Sequence, residues 1–396
     1  MPSSILSSGP LSGWPAATPD PFLFVVYHND RFPPGDSKMQ APRRGNGADF
    51  DPGAAYRMYH GDRVPGFPQH PHRGFETVTA TIDGVIDHSD SHGNAGRYGG
   101  GDLQWMTAGA GVVHGEMFPL VNAEAENFCR FFQIWLNLPA KDKMTEPRFA
   151  MHWAEEVVKL EAPGGGRLTL FAGAFEAPWS GGERAALPPC PKSYAAEPAN
   201  DVAVWHVRLP AGAEMELPAS KLGAGVNRWM YQIEGDAYSV DGQPFAGKKL
   251  LKLDASKTTS LKNPAAAPKE PSEMSVKELK AAIAERGLGK KASLFTEKSE
   301  LAALLAAEPG AAPGSVEFLV LQGKPIGEPV AQHGPFVMNT QREIQQAFAD
   351  YRETEFGGWP WPDNAMVFPR EKGRFSLLDG VETYPPPSKE AGKEEL

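Results

Sequence analysis

Short runs rich in Val, Phe and Trp recur about every ten residues and are cut off by Gly, Pro or Asp. This spacing constrains the fold more than any other feature of the chain. Phe22–Tyr27, Phe75–Ile82, Asp102–Trp105 and Phe128–Leu138 form one set. Val202–Leu209, Arg228–Ile233, Ala237–Val240, Lys249–Leu253 and Val316–Gln322 form a second. Runs this short, with Gly-marked turns between them, predict barrels or sandwiches rather than βαβ units. Laying the Asp83-Gly84 turn on Glu234-Gly235 gives an offset of 151 residues, which also places Ile82 on Ile233. The pattern predicts a mainly β fold of two similar barrels in tandem.

Composition agrees with this. A chain of 396 residues with 41% hydrophobic and 22% charged content can build two or three domains with real cores. Its 42 Gly and 38 Pro follow no fixed period, which excludes a collagen-like chain. Lys+Arg 39 against Asp+Glu 49 gives a net charge of -10, so the surface as a whole repels phosphate and a DNA-coating role is excluded. The two cysteines, Cys129 and Cys190, are too few for a disulfide framework or a thiolate zinc site and fit a reducing compartment. No apolar run reaches the length of a membrane span. Met1–Asp20 lacks the basic and apolar regions of a secretory signal. A cytoplasmic or nuclear location, or both, is expected, with no membrane contact.

The expected domain order is a flexible segment at 1–19, a first barrel at 20–161, and a Gly/Pro/Ala-rich connection at 162–200. A second barrel at 201–345 follows, interrupted by a helical insert with linkers at 264–314, and then a helix end and tail at 346–396. In the insert, Ser275-Val-Lys-Glu278 is a capping box, Val276, Leu279 and Ile283 repeat at helical spacing, and Gly287 is a stop signal. A second helix starts at Thr296 and aligns Leu301, Leu304 and Leu305. The pair resembles a SAP-type helix-extended-helix motif in Val276–Lys280 and Glu297–Leu301. Its Lys and Arg are nearly matched by Glu, so a structural or protein-docking role is expected ahead of DNA binding. Thr340–Tyr351 reads as a further helix, capped by Asn339 or Thr340. The aromatic Trp359-Pro-Trp361-Pro segment after it is expected to lie across apolar surface.

Six of the ten histidines, His60, His70, His72, His88, His92 and His114, fall between residues 60 and 114. In an extended segment residues two apart share a face, so His70 and His72 can converge on one point. The same parity carries on through Glu76, Val78, Ala80 and Ile82, which predicts a lumen with polar atoms at its mouth. His114 and Glu116 are a second such pair. Together the two pairs offer three imidazole nitrogens and one carboxylate while leaving coordination positions open. That set suits an octahedral first-row metal such as Fe(II) better than a structural zinc, which fills all four positions. Glu76 is a fifth ligand, an acceptor for an imidazole N–H, or a satisfied polar residue; the second of these is favoured. His88 and His92 are expected in a hairpin loop and His60 in another.

Several longer stretches then carry a family resemblance. His70-Pro-His-Arg-Gly-Phe-Glu-Thr77, Gly101-Asp-Leu-Gln-Trp-Met-Thr-Ala-Gly109 and His114-Gly-Glu116 strongly resemble the pirin family of bicupins. Leu136–Met144 and Gly334–Asn339 look like further signatures of that family. The resemblance covers about Asp20 to Phe356 except the insert, which ordinary pirins lack. It implies two tandem cupin barrels, with His70, His72, His114 and Glu116 as iron ligands. At the 151-residue offset, Lys221, Gly223 and Asn227 replace His70, His72 and Glu76, so the second barrel is expected to be metal-free. The resemblance further implies a flavonol 2,3-dioxygenase activity of the quercetinase type and, for some members, transcriptional co-regulation in the nucleus. In the first reading a flavonol-like molecule and O2 are the partners, Glu116 stays a ligand or takes the substrate proton, and Glu76 is the reserve base. Gln133, Phe75, Trp105 and Phe132 are candidate pocket walls. In the second reading a transcription factor is the partner. Manganese, nickel and copper share the donor class with Fe(II), and the resemblance suggests a monomer.

Overall fold

A computed structural model of the chain describes residues 3–44, 48–264, 273–285, 295, 297–307 and 314–387. Each of the nine runs expected as strands is a strand, and Phe22–Phe32 extends furthest beyond its expected end. They assemble into two barrels, each made of two sheets. In the front barrel, a five-stranded sheet runs in the order Arg148–His152, Leu103–Thr107, Phe75–Asp83, Asn127–Asn137, Phe22–Phe32. A six-stranded sheet faces it, ordered Val381–Thr383, Phe375–Leu378, Ala95–Gly99, Val85–Asp90, Val112–Met117, Gly66–His72. The back barrel is built on a seven-stranded sheet that contains Asn227–Glu234, Val316–Gly323 and Ala203–Leu209, and on a four-stranded sheet that contains Glu214–Leu217 and Ala237–Val240.

The chain ends exchange places across this arrangement, which corrects several expected boundaries. Ile5–Pro10, expected in a flexible segment, pairs antiparallel with Lys249–Leu253 at the edge of the back barrel. Val158–Glu161 and Arg167–Ala172 also belong to the back sheet, so that barrel begins before the expected connection at 162–200. Conversely, the chain leaves the back barrel at Gly323 rather than 345. Phe336 bridges to Arg73, and Phe375–Leu378 pairs with Ala95–Gly99, both in the front barrel. The helix Gln341–Thr354, capped by Thr340, packs through Ile344 and Ala347 onto Val113 and Phe336. Trp361 then donates from Nε1 to the Asp90 carbonyl at 2.8 Å, so the aromatic segment does lie across the front barrel.

Between the barrels, Val25, Val78, Ala80, Phe132 and Ile134 of the front pack against Val204, Tyr231, Ile233, Leu319 and Leu321 of the back in one buried core. Arg130, buried, donates to Glu317 of the back barrel at 2.7 Å, and His206 shares the same carboxylate oxygen at 3.0 Å. Even-numbered residues of Phe75–Asp83 therefore face the other barrel, and odd-numbered ones face the lumen. This reverses the expected parity. The chain changes sheets at Arg73-Gly74, so alternation does not carry from Gly66–His72 into Phe75–Asp83. Gly74 makes the turn at φ +86, where a Cβ would stand 2.0 Å from the Val337 carbonyl oxygen.

The insert contributes helices Val276–Glu285 and Lys298–Ala307. The capping box closes both ways, Ser275 N to Glu278 at 2.7 Å and Glu278 N to Ser275 Oγ at 3.2 Å. Gly287 and Thr296 lie outside the described residues. Leu279, Ile283, Leu301 and Leu305 form a small separate core, each worth about 2 kcal/mol of transfer free energy. Among the described residues, no helix is long and apolar enough to cross a membrane.

Candidate metal centre

Strand pairing brings the two histidine pairs together. Gly66–His72 runs antiparallel to Val112–Met117 with His70 directly opposite His114. A register irregularity between Phe67 and His70 re-aims the end of the first strand. The three rings of His70, His72 and His114 stand 4.5 to 4.9 Å apart by centroid. One nitrogen from each lies within 4.8 Å of the others.

The chemistry of this cup suits a cation. Burial holds His70 down to about 4 and His72 and His114 well below the ordinary histidine range, so all three imidazoles are neutral with lone pairs available. A carbonyl only accepts, so His70 donates from Nδ1 to Pro68 O at 2.9 Å and leaves Nε2 bare toward the cup. His72 does the same with Pro335 O at 3.4 Å. Both nitrogens of His114 are buried and make no hydrogen bond with the described residues. An unfilled buried nitrogen costs about 1–3 kcal/mol, which a metal bond offsets.

Glu116 lines the same cavity but lies outside the group of three. Its Oε1 accepts from Thr79 Oγ1 at 3.0 Å and Tyr98 OH at 3.4 Å, and its Oε2 accepts from Gln133 Nε2 at 2.5 Å. Burial raises its pKa above the ordinary carboxylate range, partly offset by His88 and these hydrogen bonds. Glu76 is elsewhere. It faces the back barrel, accepting from Trp105 Nε1 and Thr107 Oγ1 at 3.0 and 2.7 Å on Oε1 and from Ser193 Oγ at 2.6 Å on Oε2. None of its hydrogen-bond partners among the described residues is an imidazole, which corrects the expectation that it backs a ligand or serves as reserve base. Trp105 and Phe132 share that outward face in the inter-barrel core, so they are not pocket walls. Phe75 is on the lumen side, with its ring 5.0 Å from that of His72.

His88 corrects a second expectation. It sits in the strand Val85–Asp90 opposite Glu116, buried, with its ring 5.5 Å from that of His114. His92 follows in the turn and His60 in a loop at the cavity mouth.

Above the cup opens a cavity of about 1030 Å³. Phe24 and Trp135, with centroids 4.8 Å apart and rings tilted by 34°, make an aromatic wall that reaches the His72 ring, 5.3 Å from Trp135. Phe67 and Tyr59 form a second aromatic surface, and Trp14, Lys248 and Pro335 close the rim from distant parts of the sequence. Sequence reasoning missed His28, which also lines this space. Its Nδ1 donates to Tyr59 OH at 2.7 Å, Tyr59 donates to Asp30 at 2.6 Å, and Arg57 holds Asp30. Burial, with Arg57, lowers His28 to about 3. The alternation Phe24, Val26, His28 along one strand face was the available signal.

Comparison with known proteins places this architecture. A model of the pirin family matches residues 20–136, and a model of the pirin C-terminal cupin domain matches residues 289–357. The chain is 34% identical over 292 residues to a Pseudomonas aeruginosa protein provisionally named a quercetin 2,3-dioxygenase, covering 74% of this chain and 80% of that one. It is 32% identical over 309 residues to human pirin, covering 78% and 83% respectively. Among solved structures, a quercetin 2,3-dioxygenase from Acinetobacter baumannii superposes with a TM-score of 0.56 at 27% identity, covering 86% of this chain and 87% of that one.

Proposed function

The chain belongs to the pirin family, and from that membership and the histidine cup we propose that it is a metal-dependent dioxygenase of the quercetin 2,3-dioxygenase type, acting on a flavonol-like substrate with O2. The observation that carries this reading is three neutral imidazoles converging at the foot of a large aromatic-walled cavity. Cavities of this size hold drug-sized ligands.

His70, His72 and His114 would hold the ion, with Fe(II) ahead of manganese, nickel or copper. The metal would supply Lewis acidity, lowering the pKa of an oxygen donor on the substrate and giving O2 a place beside it. The protein's own groups do the rest. Phe24 and Trp135 offer one aromatic surface for a fused ring system, and Phe67 and Tyr59 offer another. Glu116 completes the donor set or takes the substrate hydroxyl proton. Burial raises its pKa, which favours its holding a proton more than an exposed carboxylate would, and Gln133, Thr79 and Tyr98 fix its two oxygens. The apolar walls exclude water from the ring being opened.

The test is reconstitution of metal-stripped protein with Fe(II) under anaerobic conditions, followed by quercetin and O2. Loss of flavonol absorbance with matching O2 uptake is expected, and His70→Ala should abolish both. Absence of turnover with iron, manganese, nickel and copper in turn would refute the assignment.

A further inference from the structure

The back barrel contains a buried cation with an unfilled hydrogen-bonding face. Arg228 is 1% exposed, and its Nη1 and Nη2 are buried without a hydrogen-bond partner among the described residues. It lies on Asn227–Glu234, where Met230 of the same parity belongs to the core of the back barrel, so its side chain enters that lumen. The 151-residue offset places it where the front barrel has Thr77, one position from Glu76.

The site around it is built. Gln322 accepts from Arg228 Nε at 2.6 Å, which fixes the guanidinium and leaves its two-nitrogen end free. Trp205 lies beneath, with the guanidinium carbon 5.7 Å from its ring centroid, and the indole Nε1 is also buried without a partner. Both residues line a cavity of about 530 Å³ with apolar walls from Phe175, Leu187, Pro188 and Pro198. Burial lowers Arg228 to about 10, so it remains a cation at neutral pH. Asp201 and Asp254 attract it only from a distance. At the rim, Glu183 is paired with Lys221, and Asp201 accepts from Ser220. Glu176 and Glu197 are exposed and screened by solvent.

A guanidinium end and an indole N–H that find no hydrogen-bond partner among the described residues, on two residues that line one cavity, call for an acceptor with two oxygens. We propose that the back barrel binds a small organic carboxylate with an apolar body, its two oxygens on Arg228 Nη1 and Nη2 and the indole N–H of Trp205 reinforcing them. End-on pairing of this kind is the strongest hydrogen-bonded arrangement open to arginine. The apolar walls select the body of the ligand, and the site is independent of the metal cup.

Benzoate is the probe, titrated by calorimetry into the full chain after chelator treatment, so that no metal in the front barrel can bind a carboxylate. Saturable binding is expected, with neutral benzamide at least about tenfold weaker. Arg228→Met should abolish binding while leaving the ligand-free melting temperature equal or higher, because an unpaired buried charge has been removed. Trp205→Phe keeps a ring, loses the donor, and should weaken benzoate several-fold, which gives a readout should the Arg228 variant fail to fold. Failure of benzoate to bind, equal binding by benzamide, or unchanged affinity in a folded Arg228→Met protein would overturn the proposal. None of these results depends on dioxygenase turnover.

Discussion

Replacing Glu76 by glutamine separates a structural carboxylate from a catalytic one. Glu76 is fully buried and accepts hydrogen bonds from Trp105, Thr107, Ser193 and the Tyr194 backbone N–H, yet burial outweighs them and pushes its pKa from 4.5 up to about 7. For a carboxyl whose folded pKa is raised, the native state holds its proton more tightly than the unfolded chain. The resulting stability is therefore fully present below about pH 4.5 and is lost as pH rises through 7. At about 1.4 kcal/mol per pKa unit, the loss between pH 5 and 8 comes to roughly 2–3 kcal/mol. The glutamine side chain of the variant cannot ionise, its carbonyl can still accept from Trp105 and Thr107, and its amide can donate to a rotated Ser193 hydroxyl. The buried histidines titrate in both proteins, so the difference between the two pH profiles isolates position 76. Urea midpoints of metal-stripped native and Glu76→Gln protein at pH 5, 6, 7 and 8 measure it. The native midpoint should fall relative to the variant as pH rises, and turnover of the variant should stay within about twofold. Parallel profiles would refute the burial argument, and lost turnover in a stable variant would restore Glu76 to the chemistry.

The histidine cup should bind metal with little proton release, since its imidazoles are already neutral. Calorimetry at pH 7 in buffers of different ionisation enthalpy should find at most about one proton, from Glu116, and release near three would contradict the depressed histidine values. Gly74→Ala places a Cβ 2.0 Å from the Val337 carbonyl oxygen at φ +86 and should cost about 2 kcal/mol or more, read as a lower urea midpoint; a neutral effect would mean the turn relaxes freely. His70→Ala should lose its metal by elemental analysis while the stripped protein unfolds near the native midpoint, and full metal occupancy would show that the cup is not the site. Ser275→Ala removes a helix cap and should weaken hydrogen-exchange protection across Val276–Glu285 by about 1 kcal/mol, with turnover unchanged.

Which parts of this molecule were legible beforehand follows from how local each signal is. His70 with His72, and His114 with Glu116, are pairs within single strands, where two-residue alternation fixes a shared face without knowledge of the fold. The same rule failed at Glu76 because it was carried across Arg73-Gly74, where the chain passes from one sheet to the other and the faces exchange. A glycine-centred turn between two strands of a barrel is thus a place to restart the parity count. Ile5–Pro10 was illegible for another reason: its partner strand is more than 200 residues away and its own sequence shows no alternation, so only tertiary pairing makes it a strand. Phe375–Leu378 has a local partner as well, since it forms a hairpin with Val381–Thr383 across Asp379-Gly380, and that two-residue turn was a signal the sequence did offer. Arg228 was recognised as a strand residue but not as an inward one, since arginine is ordinarily exposed and its neighbours in sequence do not reveal a lumen. Its burial becomes intelligible only beside the front barrel: one lumen gathers neutral imidazoles fit for a cation, while the other carries a fixed cation of its own. Where two barrels share one pattern of strands, the groups buried in each lumen determine which sign of ligand it can take.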